Sequence, residues 1–243
     1  MQLPRAILFD LDDTILSFGR RSLVFEELAE RTPDLFAPLT PKIAAAAMEA
    51  RFKAFWSDQE RHKAWRPRLA EMRRMLVADA FEDLNRAGAP GLTRDQAHAF
   101  ADAFHAYREA ESKLFPGALE TIDALKAAGV LLALVTNGQS ESQRPKVERF
   151  DLARRFDHIQ IEGEHGFGKP ETLAYTHAMQ ALGVEAHETW MVGDNLEWEV
   201  AAPQALGIFA IWHDHLGDGL PEGSPIKPNR IIRAITELLE PQA

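Results

Sequence analysis

Cysteine is absent from this chain of 243 residues, and tyrosine occurs only twice. Without cysteine the protein has no disulfide bonds, no thiolate metal ligands and no thiol nucleophile. Every apolar run is shorter than the roughly 20 residues that a membrane-spanning helix needs. The N-terminal residues lead directly into a predicted strand, with no hydrophobic signal segment before it. These absences favour a cytoplasmic protein that does not bind a membrane.

Positive charge is also scarce. The chain has 27 Lys and Arg against 37 Asp and Glu, which gives a formal net charge of −10. Nucleic acid is excluded as a partner, because binding its backbone needs a basic face. A small anionic ligand would also meet an unfavourable mean field, so an anion site must depend on a local lysine and a bound metal.

Short, continuous apolar runs predict strands that are buried on both faces of a parallel sheet. These runs lie at residues 5–10, 130–135, 157–161, 189–193 and 208–212. Helical patterns alternate with the later runs, at residues 117–128, 141–150, 171–182 and 197–206. Alternation of this kind predicts βαβ units, and therefore an α/β fold with a Rossmann-like parallel sheet.

The segment 17–114 has no strand-like run and is predicted to form an inserted all-helical domain. Its predicted helices span residues 20–31, 41–57, 66–87 and 94–112. Thr93 and Gln96 have the spacing of a capping box at the start of the last of these helices. The chain is therefore predicted to divide into a sheet domain, residues 1–16 and 115–243, and a helical domain, residues 17–114.

Four predicted strands end in polar residues. The first is followed by Asp10 and Asp12, whose spacing by two can direct both carboxylates to the same side, while Leu11 and Asp13 point away. Open parallel sheets bind ligands at the carboxyl ends of their strands. The alternative is a polar loop that caps the following helix, because aspartates are common after strands.

Two further segments supply a hydroxyl and an amine. Thr136 and Asn137 stand at a turn before a helix, where hydroxyl and backbone N–H groups can face an anion. Lys169 lies between Gly168 and Pro170, and its ammonium could bind a phosphate oxygen. Each segment has an ordinary alternative, an unspecialised turn for the first and an exposed lysine at a helix start for the second.

The strand predicted at 189–193 ends in Gly193 and Asp194. Oxygen ligands of this kind suit Mg²⁺. Alternatively, Asp194 caps the next helix, and both interpretations can hold together. Two carboxylates, a hydroxyl, an amine and a further carboxylate thus follow successive strands. The ordered set can hold a divalent metal, bind a phosphoryl group and attack it.

These motifs resemble those of the haloacid dehalogenase (HAD) superfamily, in its phosphatase branch. The resemblance covers nearly the whole chain, with 17–114 in the position of a helical cap of the first type. The matching positions are Asp10, Asp12 and Thr14 for the first motif, Thr136 for the second, Lys169 for the third and Asp194 for the fourth. The second acid of the fourth motif falls on Glu199, where Asp is more usual.

The resemblance implies a phosphatase that uses Mg²⁺ and a two-step phosphoryl transfer. Asp10 would attack phosphorus, while Asp12 would protonate the leaving group and then deprotonate the attacking water. Mg²⁺ would lie between Asp10, the backbone carbonyl of Asp12 and Asp194. The implied phosphate-binding residues are Thr136, Asn137 and Lys169, and the supporting residues are Thr14, Asn195 and Glu199.

The implied substrate is a small phosphorylated metabolite, acted on by a monomer or a homodimer. A phosphomutase is an alternative, but it would need a second phosphate-binding site in the cap. A 2-haloacid dehalogenase would also use Asp10, but such members lack an aspartate at the position of Asp12. A non-catalytic phosphate-binding homologue would be expected to lose one of Asp10, Asp12 or Lys169. A receiver-type signalling module would have about half this length.

The helical insert is the expected lid, which would close over the site and select the leaving group. Candidates for substrate contact in it are Phe18, Arg20, Trp56, His62, Trp65, Arg66 and Arg68, although packing is favoured for each. Residues 213–215, His-Asp-His, resemble a metal pair but are predicted to lie in a loop after the last strand, and are not assigned as ligands.

Overall fold

The computed structural model describes residues 3–56, 61, 64–65, 68–89 and 91–240. The chain forms two compact units. The sheet unit comprises Met1–Ser17 with Lys113–Ala243, and the helical unit comprises Phe18–Ser112. That the first is a catalytic core and the second its cap stays a prediction. No helix in the described ranges is long and apolar enough to span a membrane.

The strands lie in the sheet unit. They are β1 (Ala6–Phe9), β2 (Leu16–Ser17), β3 (Lys113–Leu114), β4 (Leu131–Thr136), β5 (His158–Ile161), β6 (Thr189–Gly193), β7 (Phe209–His213) and β8 (Arg230–Ile232). Six of them form one parallel sheet in the order β5-β4-β1-β6-β7-β8. Every side chain of β1 is buried, as expected for a strand covered on both faces. The predicted α/β fold with a Rossmann-like parallel sheet is confirmed.

The order of the strands determines where a ligand can bind. From β1 the chain passes to β4 and β5 on one side, and later to β6, β7 and β8 on the other. The direction of the connections therefore reverses between β1 and β6, and ligands of open α/β sheets bind beyond the strand ends at such a point. Asp10 follows β1 and Asp194 follows β6, so two of the predicted carboxylates flank this position.

Three strands were not predicted. At the sheet edge, β8 has only three residues and begins with an arginine, so it carries no apolar run. The two-residue strands β2 and β3 pair antiparallel, with Leu16 opposite Leu114. The prediction that 17–114 contains no strand is therefore wrong at both of its ends. Strands this short have too few residues to show a pattern.

The helices of the helical unit are α1 (Arg21–Glu30), α2 (Pro33–Phe36), α3 (Pro41–Trp56), α4 (Leu69–Arg86) and α5 (Arg94–Glu111). In the sheet unit they are α6 (Ala118–Ala127), α7 (Ser140–Arg149), α8 (Glu162–His165), α9 (Thr172–Leu182) and α10 (Ala202–Ala205). A π-helix, Leu196–Ala201, leads directly into α10 and begins the helix predicted at 197–206. The capping box of Thr93 and Gln96 is confirmed.

Phenylalanine dominates the core of the helical unit, where α1 packs on α3 and α4 packs on α5. Phe25 stacks on Phe104 with ring centroids 4.1 Å apart and meets Phe52 edge-on at 5.3 Å. Burying each of these side chains contributes about 1.5–3 kcal/mol to folding. This core explains why a segment without strands still forms a compact unit.

The aromatic candidates for substrate contact have packing roles within the helical unit. Trp56 and Trp65 pack against its core, and the Arg68 guanidinium lies 4.8 Å from the Trp65 ring centroid. Phe18 is buried, with the Arg108 guanidinium 4.9 Å from its ring centroid. The exposed Arg20 precedes α1, whereas His62 and Arg66 lie outside the described residues.

Candidate active site

Asp10 is the first residue after β1, and its carboxylate is held on both oxygens. Its backbone N–H donates to the Val192 carbonyl at 3.0 Å, which extends the pairing with β6. Lys169 Nζ donates to Oδ1 at 2.6 Å, and Thr14 Oγ1 donates to Oδ2 at 3.1 Å. Because Asp10 is only 7% exposed, these partners fix both the position and the orientation of the carboxylate.

Lys169 forms ion pairs with a residue of the first motif, Asp10, and with a residue of the fourth motif, Glu199. Its ammonium also lies 2.7 Å from Glu199 Oε1, and both side chains are 1% exposed. The other Glu199 oxygen accepts the Asn195 N–H at 2.8 Å. Burial acts to lower the pKa of Lys169, but the charges of Asp10 and Glu199 outweigh it and raise that pKa. The lysine is therefore a buried, permanent cation, fixed between two carboxylates.

The acids around Lys169 repel one another. Burial, followed by the charges of Glu199, Asp13 and Asp10, raises the pKa of Asp194 well above its usual range. Burial also raises the pKa of Asp10, although Lys169 opposes it, and raises the pKa of Glu199 to about 7. Carboxylates in excess of the buried cation would be stabilised by a divalent ion, and oxygen donors suit Mg²⁺.

Asp13 belongs to this acidic cluster, and the expectation that it points away is wrong. A ligand atom of Asp13, one of Asp194 and one of His215 all lie within 4.8 Å of one another. The reason lies in the backbone, because Asp13 has the left-handed φ of 60° and its N–H bonds the Leu16 carbonyl at 2.6 Å. The alternation of strand side chains ends at Phe9, so it does not apply to Asp13.

The three residues of segment 213–215 lie in different environments. His213 belongs to β7 and is buried, and burial lowers its pKa to about 4. Asp214 accepts the N–H groups of Asp218 and Gly219, which is an ordinary role in a loop. His215 contributes to the acidic cluster described above, although it was not assigned as a ligand from the sequence. The prediction that the whole segment lies in a loop is wrong for His213.

Asn195, rather than Asp194, caps the helix that follows β6. Its Oδ1 accepts the N–H groups of Glu197 at 3.0 Å and Trp198 at 3.1 Å. The alternative interpretation of Asp194 as the helix cap is therefore wrong. A capping asparagine satisfies the first free N–H groups of the helix. The carboxylate of Asp194 remains within the acidic cluster.

Asp12 has different surroundings, since its side chain is 36% exposed. Lys146 Nζ lies 3.1 and 3.0 Å from its two carboxylate oxygens, and Gln143 Nε2 donates to Oδ2 at 3.0 Å. Gln143 and Lys146 are three residues apart on α7, so they share one face of the helix. Neither residue was predicted. Val147 is the one buried apolar residue of α7, and nothing in the pattern of the helix marks these two positions.

Gln143 also connects Asp12 to the second motif. Its Nε2 lies 2.8 Å from Thr136 Oγ1 and 2.7 Å from the Asn137 carbonyl oxygen. The Asn137 side chain donates to the Lys169 carbonyl at 2.6 Å and accepts the Lys169 N–H at 2.8 Å. Asn137 therefore holds the backbone of the segment that carries Lys169. Its direct contact with phosphate stays a prediction.

Two glycines are required because other groups approach them closely. A Cβ on Gly193 would lie 2.0 Å from Glu199 Cγ, so a larger residue would displace the partner of Lys169. A Cβ on Gly168 would lie 2.7 Å from Asn137 Oδ1, the atom that accepts the Lys169 N–H. Both glycines thus let the backbone pass close to the side chains that hold the lysine.

The chain matches a family model for haloacid dehalogenase-like hydrolases over residues 4–207. It therefore belongs to the haloacid dehalogenase-like hydrolase family, as the resemblance of its motifs predicted. The match includes every predicted site residue, from Asp10 to Glu199.

Among curated relatives, phosphoserine phosphatase of Thermus thermophilus is 32% identical, over 91% of this chain and 93% of that protein. Among solved structures, the magnesium-bound HAD hydrolase YfnB of Bacillus subtilis has a TM-score of 0.72 and 25% identity, covering 98% of this chain and 97% of that one. The 2-haloacid dehalogenase of Pseudomonas syringae shares the fold, with a TM-score of 0.56 and 24% identity over 97% and 96% of the two chains.

Proposed function

We propose that this protein is a Mg²⁺-dependent phosphatase that hydrolyses a small phosphomonoester through an aspartyl-phosphate on Asp10. The observation that carries the proposal is the buried Asp10 carboxylate, fixed by Lys169 on one oxygen and by Thr14 on the other. Asp12, two residues further on, is exposed enough to exchange a proton. The phosphatase relative supports the same reaction class.

The reaction proceeds in two displacements at phosphorus. In the first, an oxygen of Asp10 bonds to phosphorus as the bond to the leaving oxygen breaks, and Asp12 donates its proton to that oxygen. In the second, a water oxygen bonds to phosphorus as the bond to Asp10 breaks, and Asp12 takes the proton of the water. Inorganic phosphate leaves, and both carboxylates return to their starting states.

Electrostatics explains the need for cations. A carboxylate and a phosphate repel by roughly 1–4 kcal/mol per charge pair at 4 Å, depending on the local dielectric. Lys169 offsets part of this repulsion, and Thr136 orients the phosphoryl group. Asp10, Asp194 and the Asp12 carbonyl would hold Mg²⁺, which supplies the remaining positive charge. Asp13 and Glu199 support this oxygen-rich arrangement from the same cluster.

The rest of the proposal follows from the sequence and the family. The sheet unit is the catalytic core, and the helical unit is the cap that selects the leaving group. We propose a cytoplasmic enzyme, a monomer or a homodimer, acting on a small phosphorylated metabolite. A phosphomutase, a dehalogenase and a non-catalytic phosphate-binding protein are the other outcomes that an assay must distinguish.

Phosphate release is the direct test. Purified protein would be incubated with Mg²⁺ and a panel containing phosphoserine, phosphoglycolate, a nucleoside monophosphate and a sugar phosphate, with the Asp10→Asn variant as control. We expect phosphate release that stops on chelation and is absent from the variant. Phosphate release that persists under chelation, or halide release from a 2-haloacid in place of phosphate release, would contradict the proposal.

A further inference from the structure

Three histidines gather at the edge of the sheet, away from the residues assigned to phosphoryl transfer. His158 begins β5, His165 ends α8 and His177 lies on α9. One ligand atom from each ring lies within 4.8 Å of the other two. The three residues come from separate elements, so the fold rather than a local sequence motif brings them together.

Two of these rings are oriented by backbone or amide oxygens. His165 Nδ1 lies 3.1 Å from the Ile161 carbonyl oxygen, and His177 Nδ1 lies 2.8 Å from Gln160 Oε1. Gln160 Nε2 donates to the Ala174 carbonyl at 2.8 Å, which fixes the side of the amide that faces His177. Oxygen atoms of this kind only accept, so Nδ1 carries the proton in both rings. In a neutral ring with Nδ1 protonated, Nε2 presents a lone pair.

The third ring has a buried nitrogen without a partner. His158 Nε2 is inaccessible to solvent and has no hydrogen bond to any residue that the structure describes. Burial lowers the pKa of His158, and although Gln160 opposes this effect, the neighbouring His177 and His165 add to it, so the neutral ring is favoured. Leaving such an atom unsatisfied destabilises the fold. A bound cation would satisfy it.

Aromatic packing alone does not explain this arrangement. The ring centroids of the histidines are 5.1 to 6.2 Å apart, and Phe167 packs against two of them. Packing has no requirement for ring nitrogens that lie close together, or for the N–H groups of His165 and His177 to donate to oxygen atoms. Histidines that bind metals show this pattern, with the second ring nitrogen donating to an outer oxygen.

We propose that His158, His165 and His177 form a binding site for a divalent transition metal of the Zn²⁺ class, distinct from the Mg²⁺ site. Three neutral imidazoles suit Zn²⁺, Co²⁺, Ni²⁺ or Cu²⁺, whereas Mg²⁺ takes oxygen ligands. Water completes the coordination. The neighbouring Glu164 is not a ligand, since Arg144 and Ser140 hold both of its oxygens.

The site would stabilise the segment that presents Lys169. His165 is four residues before Lys169, and Phe167 packs on both His165 and His177. A metal bound by β5, α8 and α9 would therefore restrict the motion of the loop 166–170, which begins directly after His165. A metal that binds only the folded chain also raises its thermal stability as the free metal concentration rises above the dissociation constant.

Co²⁺ is the probe, because its visible absorption reports nitrogen ligation and low coordination number. The protein would be held in excess Mg²⁺, which occupies the oxygen site, and titrated with Co²⁺. We expect one Co²⁺ per chain, displacement by Zn²⁺, and a rise in melting temperature. In His177→Gln we expect affinity to fall by at least the 10- to 100-fold that changes outside the ligand shell cost.

His187→Gln is the matched control, because His187 is exposed and lies outside the cluster. It should bind Co²⁺ as the wild type does. Circular dichroism without metal tests whether His177→Gln still folds, and His165→Gln provides a second ligand deletion. Equal Co²⁺ affinity in wild type and both ligand variants, or no absorption change at all, would overturn the proposal. Binding that is lost in Asp194→Asn instead would assign the ion to the acidic cluster and overturn it equally.

Discussion

Asp10 and Asp12 are two residues apart, yet their surroundings differ in almost every respect. Asp10 is buried against Lys169 and Thr14, and its backbone continues the central strand. Asp12 is partly exposed and is held by two side chains of α7, Gln143 and Lys146. The Asp10 carboxylate is held by two loop residues, Lys169 and Thr14, and the Asp12 carboxylate is held by a helix.

The difference matches the two roles that phosphoryl transfer needs. A nucleophile must stay in one position and one orientation, which burial against fixed partners provides. A proton donor must recover its proton between turnovers, which requires contact with solvent or substrate. The contrast between the two environments therefore suggests the division of labour, and substitutions on each side should separate the roles.

The largest effect is expected on the buried side. Asp10→Asn keeps the shape of the side chain but removes the nucleophile, so kcat should fall by on the order of 10⁵-fold or more, as for nucleophile deletion in other covalent enzymes. The loss should be equal for every phosphate ester, since no ester can be attacked. Steady-state phosphate release measures it. Residual activity near the wild-type level would assign the nucleophile elsewhere.

Asp12→Asn should cost less, and its cost should depend on the leaving group. General acid catalysis contributes roughly 10²- to 10⁴-fold, so an alkyl phosphate should lose activity in that range. A p-nitrophenyl ester leaves as a stable anion and needs no proton in the first step, so it should lose much less. Comparing kcat/KM for the two substrates tests the role directly, because this ratio reports the first displacement, whereas the second displacement, in which Asp12 acts as base, is the same for both.

An equal loss on both substrates would contradict the assignment of Asp12 as leaving-group acid. It would indicate a second nucleophilic or purely structural function instead. Melting temperatures of Asp10→Asn and Asp12→Asn control for misfolding in both experiments.

Much of this site could be predicted from the sequence, because the chemistry follows the strands. Buried parallel strands need continuous apolar runs, and those runs mark where each strand ends. The polar residues that follow, among them Asp10, Thr136 and Asp194, are then placed by the sheet at one edge. The prediction that Lys169 directly follows a strand is wrong, because α8 lies between β5 and the loop that carries the lysine.

The features that were missed lack any periodic signal. Gln143 and Lys146 lie in a helix with no apolar stripe, so their burial depends on contacts that only the fold creates. The direction of the Asp13 side chain was predicted from strand alternation, but Asp13 has a left-handed backbone conformation, which breaks that alternation. At three residues, β8 is too short for its pattern to exceed chance. Sequence periodicity does not predict the environment of a residue when that environment is set by tertiary contacts.

Lys146 gives the third and smaller test, on the exposed side of the comparison. Lys146→Gln should lower kcat/KM for an alkyl phosphate by about tenfold, equivalent to about 1.4 kcal/mol, because Asp12 loses one of the two side chains that orient its carboxylate while Gln143 still holds it. The p-nitrophenyl ester should be nearly unaffected. Arg149→Gln, on the same helix, is the matched control and should behave as wild type. A loss that is equal on both esters would mean that Lys146 acts on stability rather than on Asp12.

The last test concerns stability rather than rate, and it belongs to the buried side. Burial raises the pKa of Glu199 from 4.5 to about 7, so between these values the folded protein binds a proton that the unfolded chain has released. The unfolded state therefore binds fewer protons, and without metal the stability contribution of Glu199 must fall as pH rises through this window. The expected loss of stability is roughly 3 kcal/mol between pH 4.5 and about 7.

Denaturant unfolding of wild type and Glu199→Gln at several pH values measures the difference, since glutamine does not titrate. Saturating Mg²⁺ should reduce the wild-type slope, because a divalent ion stabilises ionised carboxylates. Stability that rises with pH relative to the variant would mean that Lys169 already neutralises the cluster, and the electrostatic case for a cation beside Asp10 would be lost.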